Sequence, residues 1–132
     1  MSERSLIRKA VSDLVAAFVT TSVPYQNFSF EVDDLPAAKV WIEAGDIDPD
    51  FDQEEYMASS ILMIELIVYG RGDLDTQLDQ IASQINSQFG LDESLNGLIE
   101  NVRRTGFAYD PDPESLVNSL ALSYAITYED ED

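Results

Sequence analysis

From Ser119 onward the residues alternate without a break. Leu120, Leu122, Tyr124, Ile126 and Tyr128 fall on one side, and Ser119, Ala121, Ser123, Ala125 and Thr127 on the other. Successive side chains of a strand point to opposite faces, so this period of two predicts a strand over Leu116–Glu129. One face carries large side chains and the other small ones. A strand of this length is expected as a central rib, and it needs partners of similar length.

Two segments supply them. Ala58–Tyr69 reads as a strand with Leu62, Ile64, Leu66 and Val68 on one face. Ile61, Met63, Ile67 and Tyr69 line the other, broken by Glu65. Both faces are apolar, so both should be covered. Helices are expected over one and a second subunit over the other, because a chain of 132 residues has little left for another layer. Asn101–Tyr109 reads as the third long strand, with Phe107 and Tyr109 on one face and Gly106 marking a bulge or a close approach. Lys39–Glu43 reads as a shorter strand, in which Val40 and Ile42 oppose Trp41, the only Trp. A further short strand is expected at Tyr25–Val32, with Phe28 and Phe30 on one face.

Two stretches carry the helical period instead. Ser2–Thr20 has an apolar stripe of Leu6 or Ile7, Ala10, Val11, Leu14, Val15 and Phe18, with Ser2 as a cap and Pro24 beyond its end. Leu74, Leu78, Ile81, Ala82, Ile85 and Phe89 form a second stripe, with Asp73 as N-cap and Gly90 as C-cap. Asp92–Ile99 is expected as a loop or short helical turn, and Asp110-Pro111-Asp112-Pro113 as a rigid connection. The fold class is α+β: a mostly antiparallel sheet of four to five strands, with the two amphipathic helices packed on one face. Residues 1–132 read as one domain, with a mobile acidic loop at 45–55 and a mobile acidic end at 129–132.

Composition then limits the chemistry. There is no Cys and no His, which removes disulfides, thiolates and the commonest general base and transition-metal ligand. Arg4, Arg8, Lys9 and Asp13 interrupt any apolar leader, and no run is long enough to span a membrane, so a soluble, cytoplasmic chain is expected. Seven Lys and Arg stand against 26 Asp and Glu, a net charge of −19. Such a chain repels nucleic acid and anionic membrane. Its acids are read as a solvated surface, or as one that avoids DNA or attracts a basic partner.

No catalytic constellation emerges. Asp46, Asp48, Asp50 and Asp52 alternate as in a calcium loop. However, the positions where an EF-hand requires Gly and Glu hold Phe51 and Met57, so no metal is assigned. Glu65 is a lone acid in an apolar strand. A salt bridge, within the subunit or across an interface, explains it better than an acid catalyst, with Arg103 and Arg104 as candidate partners. Gly70-Arg71-Gly72 is too short to cradle phosphate, and neither Lys9 nor Lys39 sits in a motif. No cofactor and no enzymatic activity are expected.

Several short stretches match a known family in order and spacing. They are Asp34-Leu35-Pro36-Ala37 leading into a strand, Thr105-Gly106-Phe107-Ala108-Tyr109-Asp110, and Leu122-Ser123-Tyr124-Ala125-Ile126-Thr127-Tyr128-Glu129. Over nearly its full length the chain resembles the minor tail protein U family, the tail terminators of long-tailed phages; Asp130–Asp132 departs from the pattern. The resemblance implies a virion protein, assembled in the host cytoplasm, that forms a six-membered ring. Such a ring caps the tail tube, stops its polymerisation and joins a head completion or connector protein. DNA passes through the ring without specific binding. On this reading Glu65, Ile67, Tyr69, Arg71, Arg103 and Arg104 are subunit-interface candidates. Asp46, Asp48, Asp50 and Asp52 are candidates for an acidic lumen or loop. The alternatives are another neck protein of the same virion, or an acidic module that mimics DNA.

Overall fold

A computed structural model describes residues 3–49 and 56–130. The elements are α1 (Glu3–Val15), β1 (Thr21–Val23), a 3₁₀ turn (Val32–Asp34), β2 (Ala37–Pro49), β3 (Tyr56–Tyr69), α2 (Leu74–Leu91), β4 (Asn101–Asp112) and β5 (Val117–Asp130). The five strands form one sheet in the order β1-β2-β3-β5-β4. Only β1 is parallel to its neighbour; the other pairings are antiparallel. The fold is α+β, as expected.

The closing strand holds its predicted alternation. Leu120, Leu122, Tyr124, Ile126 and Tyr128 are all buried, while the small residues between them are half-buried. It lies inside the sheet between β3 and β4, but the middle position belongs to β3. β3 and β5 pair from Tyr56 opposite Asp130 to Tyr69 opposite Val117. On β3 it is Leu62, Ile64, Leu66 and Val68 that face the helices and are buried.

Both helices cover this one face. Ile7, Val11 and Val15 of α1 join Leu74, Leu78, Ile81, Ala82, Ile85 and Phe89 of α2 in a single core with the sheet residues. Full burial of a side chain such as Leu78 or Ile85 stabilises the fold by about 1.5–3 kcal/mol. Asp73 caps α2 as expected: its carboxylate accepts a hydrogen bond from Thr76 N at 3.1 Å and another from the Thr76 hydroxyl. These bonds hold its pKa below the usual carboxylate range. Ser12, on the buried side of α1, bonds Ser22 of β1 hydroxyl to hydroxyl at 2.8 Å and ties the first strand to the helix.

Several expectations need correction. α1 stops at Val15, and the chain turns through Ala16–Phe18; Ser2 lies outside the described residues. The short strand is Thr21–Val23, and Tyr25–Val32 is not a strand. Its aromatics pack on one another, with ring centroids 5.8 Å apart for Tyr25–Phe28 and 4.9 Å for Phe28–Phe30. β2 runs on through Gly45–Pro49, so Asp46 and Asp48 stand in a strand; Asp50 and Asp52 lie outside the described residues. Gly45 makes this extension feasible: a Cβ there would sit 2.2 Å from Ser60 Oγ and 2.9 Å from the Ser59 carbonyl. α2 passes Gly90 and is capped at Asp92. β4 continues to Asp112, so the connection to β5 is only the turn Pro113–Leu116. Asp130 does not dangle: it is buried, and its carboxylate lies 3.4 Å from the Arg4 guanidinium.

Candidate assembly surfaces

Among the described residues, no helix covers the second face of the sheet. On β3, Ile61, Met63, Glu65 and Ile67 are half-buried and Tyr69 is 45% exposed. The facing β5 residues are Ala125, Ser123, Ala121, Ser119 and Val117, in that order. Trp41, on β2, sits opposite Met63, and its indole N–H is buried with no hydrogen-bond partner among the described residues. The result is a surface that is apolar along β3 apart from Glu65 and carries small residues along β5.

Glu65 stands on this face, opposite Lys39 on one side and Ala121 on the other. Among the described residues it makes no ion pair. Lys39 turns instead toward Phe30, its Nζ lying 5.9 Å from the ring centroid, a cation–π contact. The expected pairing of Glu65 with Arg103 or Arg104 is not formed within the subunit, for a reason of register. Arg103 pairs with Ala125 and Arg104 with Tyr124, whereas Glu65 pairs with Ala121. Glu65 is thus displaced by four residues along β5 from Arg103, and Arg104 is on the opposite face.

The interface candidates therefore divide. Glu65, Ile67, Tyr69 and Arg103 share the open face. Arg71 is exposed in the turn after β3. Arg104 turns to the helix side and lines a groove there. Asp46 sits opposite Ser59 near the far end of the open face, and Asp48 opposite Met57. Among the described residues, no group of three or more acids is placed to hold a metal ion.

The groove lies between α2 and β4 and has a volume of about 920 Å³. α2 covers β3 and β5 but leaves the edge strand bare, so Phe107 is 71% exposed and Tyr109 39% exposed, although both are on the helix side. Leu120, Leu122, Tyr124 and Phe89 form its floor. The Phe89 and Tyr124 rings lie 4.9 Å apart, and Tyr124 donates a 2.6 Å hydrogen bond to Asn86 Oδ1. Burial pushes the Tyr124 phenol up to about 12. Tyr109 donates to Asp79 across the mouth, and that carboxylate raises its pKa to about 12 as well. The bulge between Arg104 and Gly106 resets β4 so that Arg104, Phe107 and Tyr109 all face the groove. A Cβ on Gly106 would meet Ser123 Oγ at 3.2 Å, the close approach that the sequence suggested.

Sequence reasoning placed Phe107 and Tyr109 on one face but did not find the groove. Its other wall, with Asp79, Ser83 and Asn86, is the polar flank of α2, which carries no periodic signal of its own. The only hint was length: β4 and β5 are long, and α2 is one helix wide.

A sheet packed by helices on one side, open on the other and grooved at one edge makes this an α+β fold. The chain belongs to the family described as phage minor tail protein U, whose family model matches residues 2–128. It is thus a structural protein of the phage tail. No curated protein matches the chain. Among solved structures, it is similar to a chain from the virion of a native gene transfer agent particle. That likeness covers 93% of this chain and 94% of the other, at 11% identity and a TM-score of 0.50. At that identity it speaks for the fold alone. Among the described residues, no helix is long and apolar enough to cross a membrane.

Proposed function

We propose that this protein is a tail terminator: a non-enzymatic subunit that forms a ring on the tail tube, ends tube polymerisation and presents the surface that joins the head. The observation that carries this reading is the family match over residues 2–128. The uncovered sheet face supports it, because a soluble subunit that leaves this much apolar strand surface open is suited to covering it with a neighbour. The partners on this reading are further copies of the chain in a homohexamer, the tail tube protein and a head completion or connector protein. Acids such as Asp46 suit a lumen through which DNA slides without sticking, since phosphates gain affinity from cations.

The decisive experiment is deletion and complementation. A phage lacking the protein should make tails of abnormal length that fail to join heads, and the intact gene should restore both. Tails of normal length would refute the terminator role. Charge adds a second expectation. Each copy brings a net −19 to the ring, and repulsion between exposed charges is screened over roughly 8 Å at physiological salt. Salt or magnesium should therefore shift the isolated protein from monomer toward ring, as read by light scattering. An oligomeric state indifferent to both would remove charge repulsion as a control on assembly.

A further inference from the structure

We infer that the ring joint is a strand pairing: the outer edge of β4 in one copy pairs antiparallel with the outer edge of β2 in the next, with Arg103 opposite Asp46. This rests on the ring reading above and names its contact.

Both edges are unpaired among the described residues. β4 has a neighbour, β5, on one side only. β2 carries β1 on its outer side, but only along Ala37–Lys39, which leaves its edge open from Val40 onward. An open edge presents a row of backbone N–H and C=O groups, a template for another strand. The two edges lie at opposite margins of the sheet, as a head-to-tail contact that closes a ring requires. Their directions fit as well. β2, β3, β5 and β4 alternate in sense across the sheet. Rotation about an axis along the strands therefore brings β4 antiparallel to the next copy's β2.

Register selects the partner. With Arg103 opposite Asp46, the pairing runs from Asn101 opposite Asp48 to Tyr109 opposite Val40. Each strand carries one bulge, between Arg104 and Gly106 on β4 and between Ile42 and Ala44 on β2. In this register the two bulges fall side by side, so the residues flanking them keep matching faces. On the helix side Val102 meets Ile47, Phe107 meets Ile42 and Tyr109 meets Val40. In the single subunit Phe107 is 71% and Ile47 51% exposed. On the open face Arg103, which makes no ion pair among the described residues, meets the exposed Asp46. Arg104 falls opposite Gly45 and keeps its place in the groove with Asp79 and Glu93, so the joint does not draw on its charge. No like charges stand directly opposite along the pairing, in a chain with 26 acids. The ladder ends where β4 reaches Pro111, which has no N–H to donate, and where β1 already occupies β2.

The absence of Cys makes the test direct, because engineered thiols are the only thiols in the chain. Directly opposite residues of an antiparallel pair have Cα atoms about 4.5–5.5 Å apart, within the span of a disulfide. Oxidation of the Ile47→Cys/Val102→Cys double variant, in purified tails and in the isolated protein at high salt, should therefore give a ladder of disulfide-linked multimers. Either single variant should give no ladder. As an independent arm, Asp46→Arg and Arg103→Glu should each weaken self-association about tenfold, and the double reversal should recover most of it. Rings or capped tails with neither ladder nor charge rescue would overturn this joint and leave the ring reading standing. Disulfide dimers from Val102→Cys alone would show β4 pairing with itself and also overturn the joint. A protein that stays monomeric at every salt concentration and in tails would overturn both readings.

Discussion

The two faces of β3 carry nearly the same side chains and have opposite fates. Leu62, Ile64, Leu66 and Val68 point toward the helices and are at most 1% exposed. Ile61, Met63 and Ile67 point the other way and are half-buried, and Tyr69 is 45% exposed. Hydrophobicity does not distinguish them; what lies over them does. One face is completed by the chain's own helices and the other is left open by the described residues.

This contrast can be broken by truncating each face in turn. Leu62→Ala should cost the isolated subunit about 3 kcal/mol in urea unfolding, through lost burial and a cavity. Ile67→Ala, on the open face, should cost about 1 kcal/mol or less in the same experiment, yet impair assembly. Equal losses of stability would erase the distinction between the faces.

The next effect sharpens the buried side. The neutral phenol of Tyr124 is favoured in the native state, where its pKa is about 12, above the value of about 10 in an unfolded chain. Its contribution is fully present below pH 10. Between pH 10 and 12 the unfolded chain releases a proton that the native one keeps, so stability falls by about 1.4 kcal/mol per pH unit, roughly 3 kcal/mol in all. Tyr124→Phe should remove this part of the alkaline slope in urea titrations from pH 9 to 12. An unchanged slope would place the titration elsewhere, with Tyr109 as the next group to test.

Smaller effects come from single hydrogen bonds. The Ser60 and Tyr128 hydroxyls bond at 3.0 Å inside the core. Tyr128→Phe leaves the Ser60 hydroxyl without that partner and should cost about 1 kcal/mol. Asp73→Ala removes an exposed cap on α2 and should lower the melting temperature slightly at neutral pH. Its carboxylate is held below the usual range, so that contribution exists above about pH 4 and fades as pH falls through the lowered native pKa. A melting-temperature difference between Asp73→Ala and the parent that persists at pH 2 would contradict it.

What was legible in the chain followed from local period. The alternation of β3 and β5 and the six-residue stripe of α2 each came out residue for residue, because burial imposes 2.0 on strands and 3.6 on helices. The misreadings came where local composition imitated another signal. Phe28 and Phe30 alternate as in a strand, but their rings satisfy each other within the segment. Gly45, Asp46 and Asp48 look like a loop, yet Gly45 removes the one Cβ that would block β2 from closing on Ser60. Asp130 looks like a solvated tail, but α1 brings Arg4 to it.

By itself, then, the sequence determined the two central strands, the second helix, their buried faces and the family, since each of these is written in short-range pattern or in matched residues. Only the tertiary structure decided that β5 inserts between β3 and β4, that Arg103 and Arg104 part to opposite sides of the sheet, and that α2 stops short of the edge strand and leaves a groove. These depend on register and on helix placement, which join residues far apart in the chain and leave no periodic trace along it.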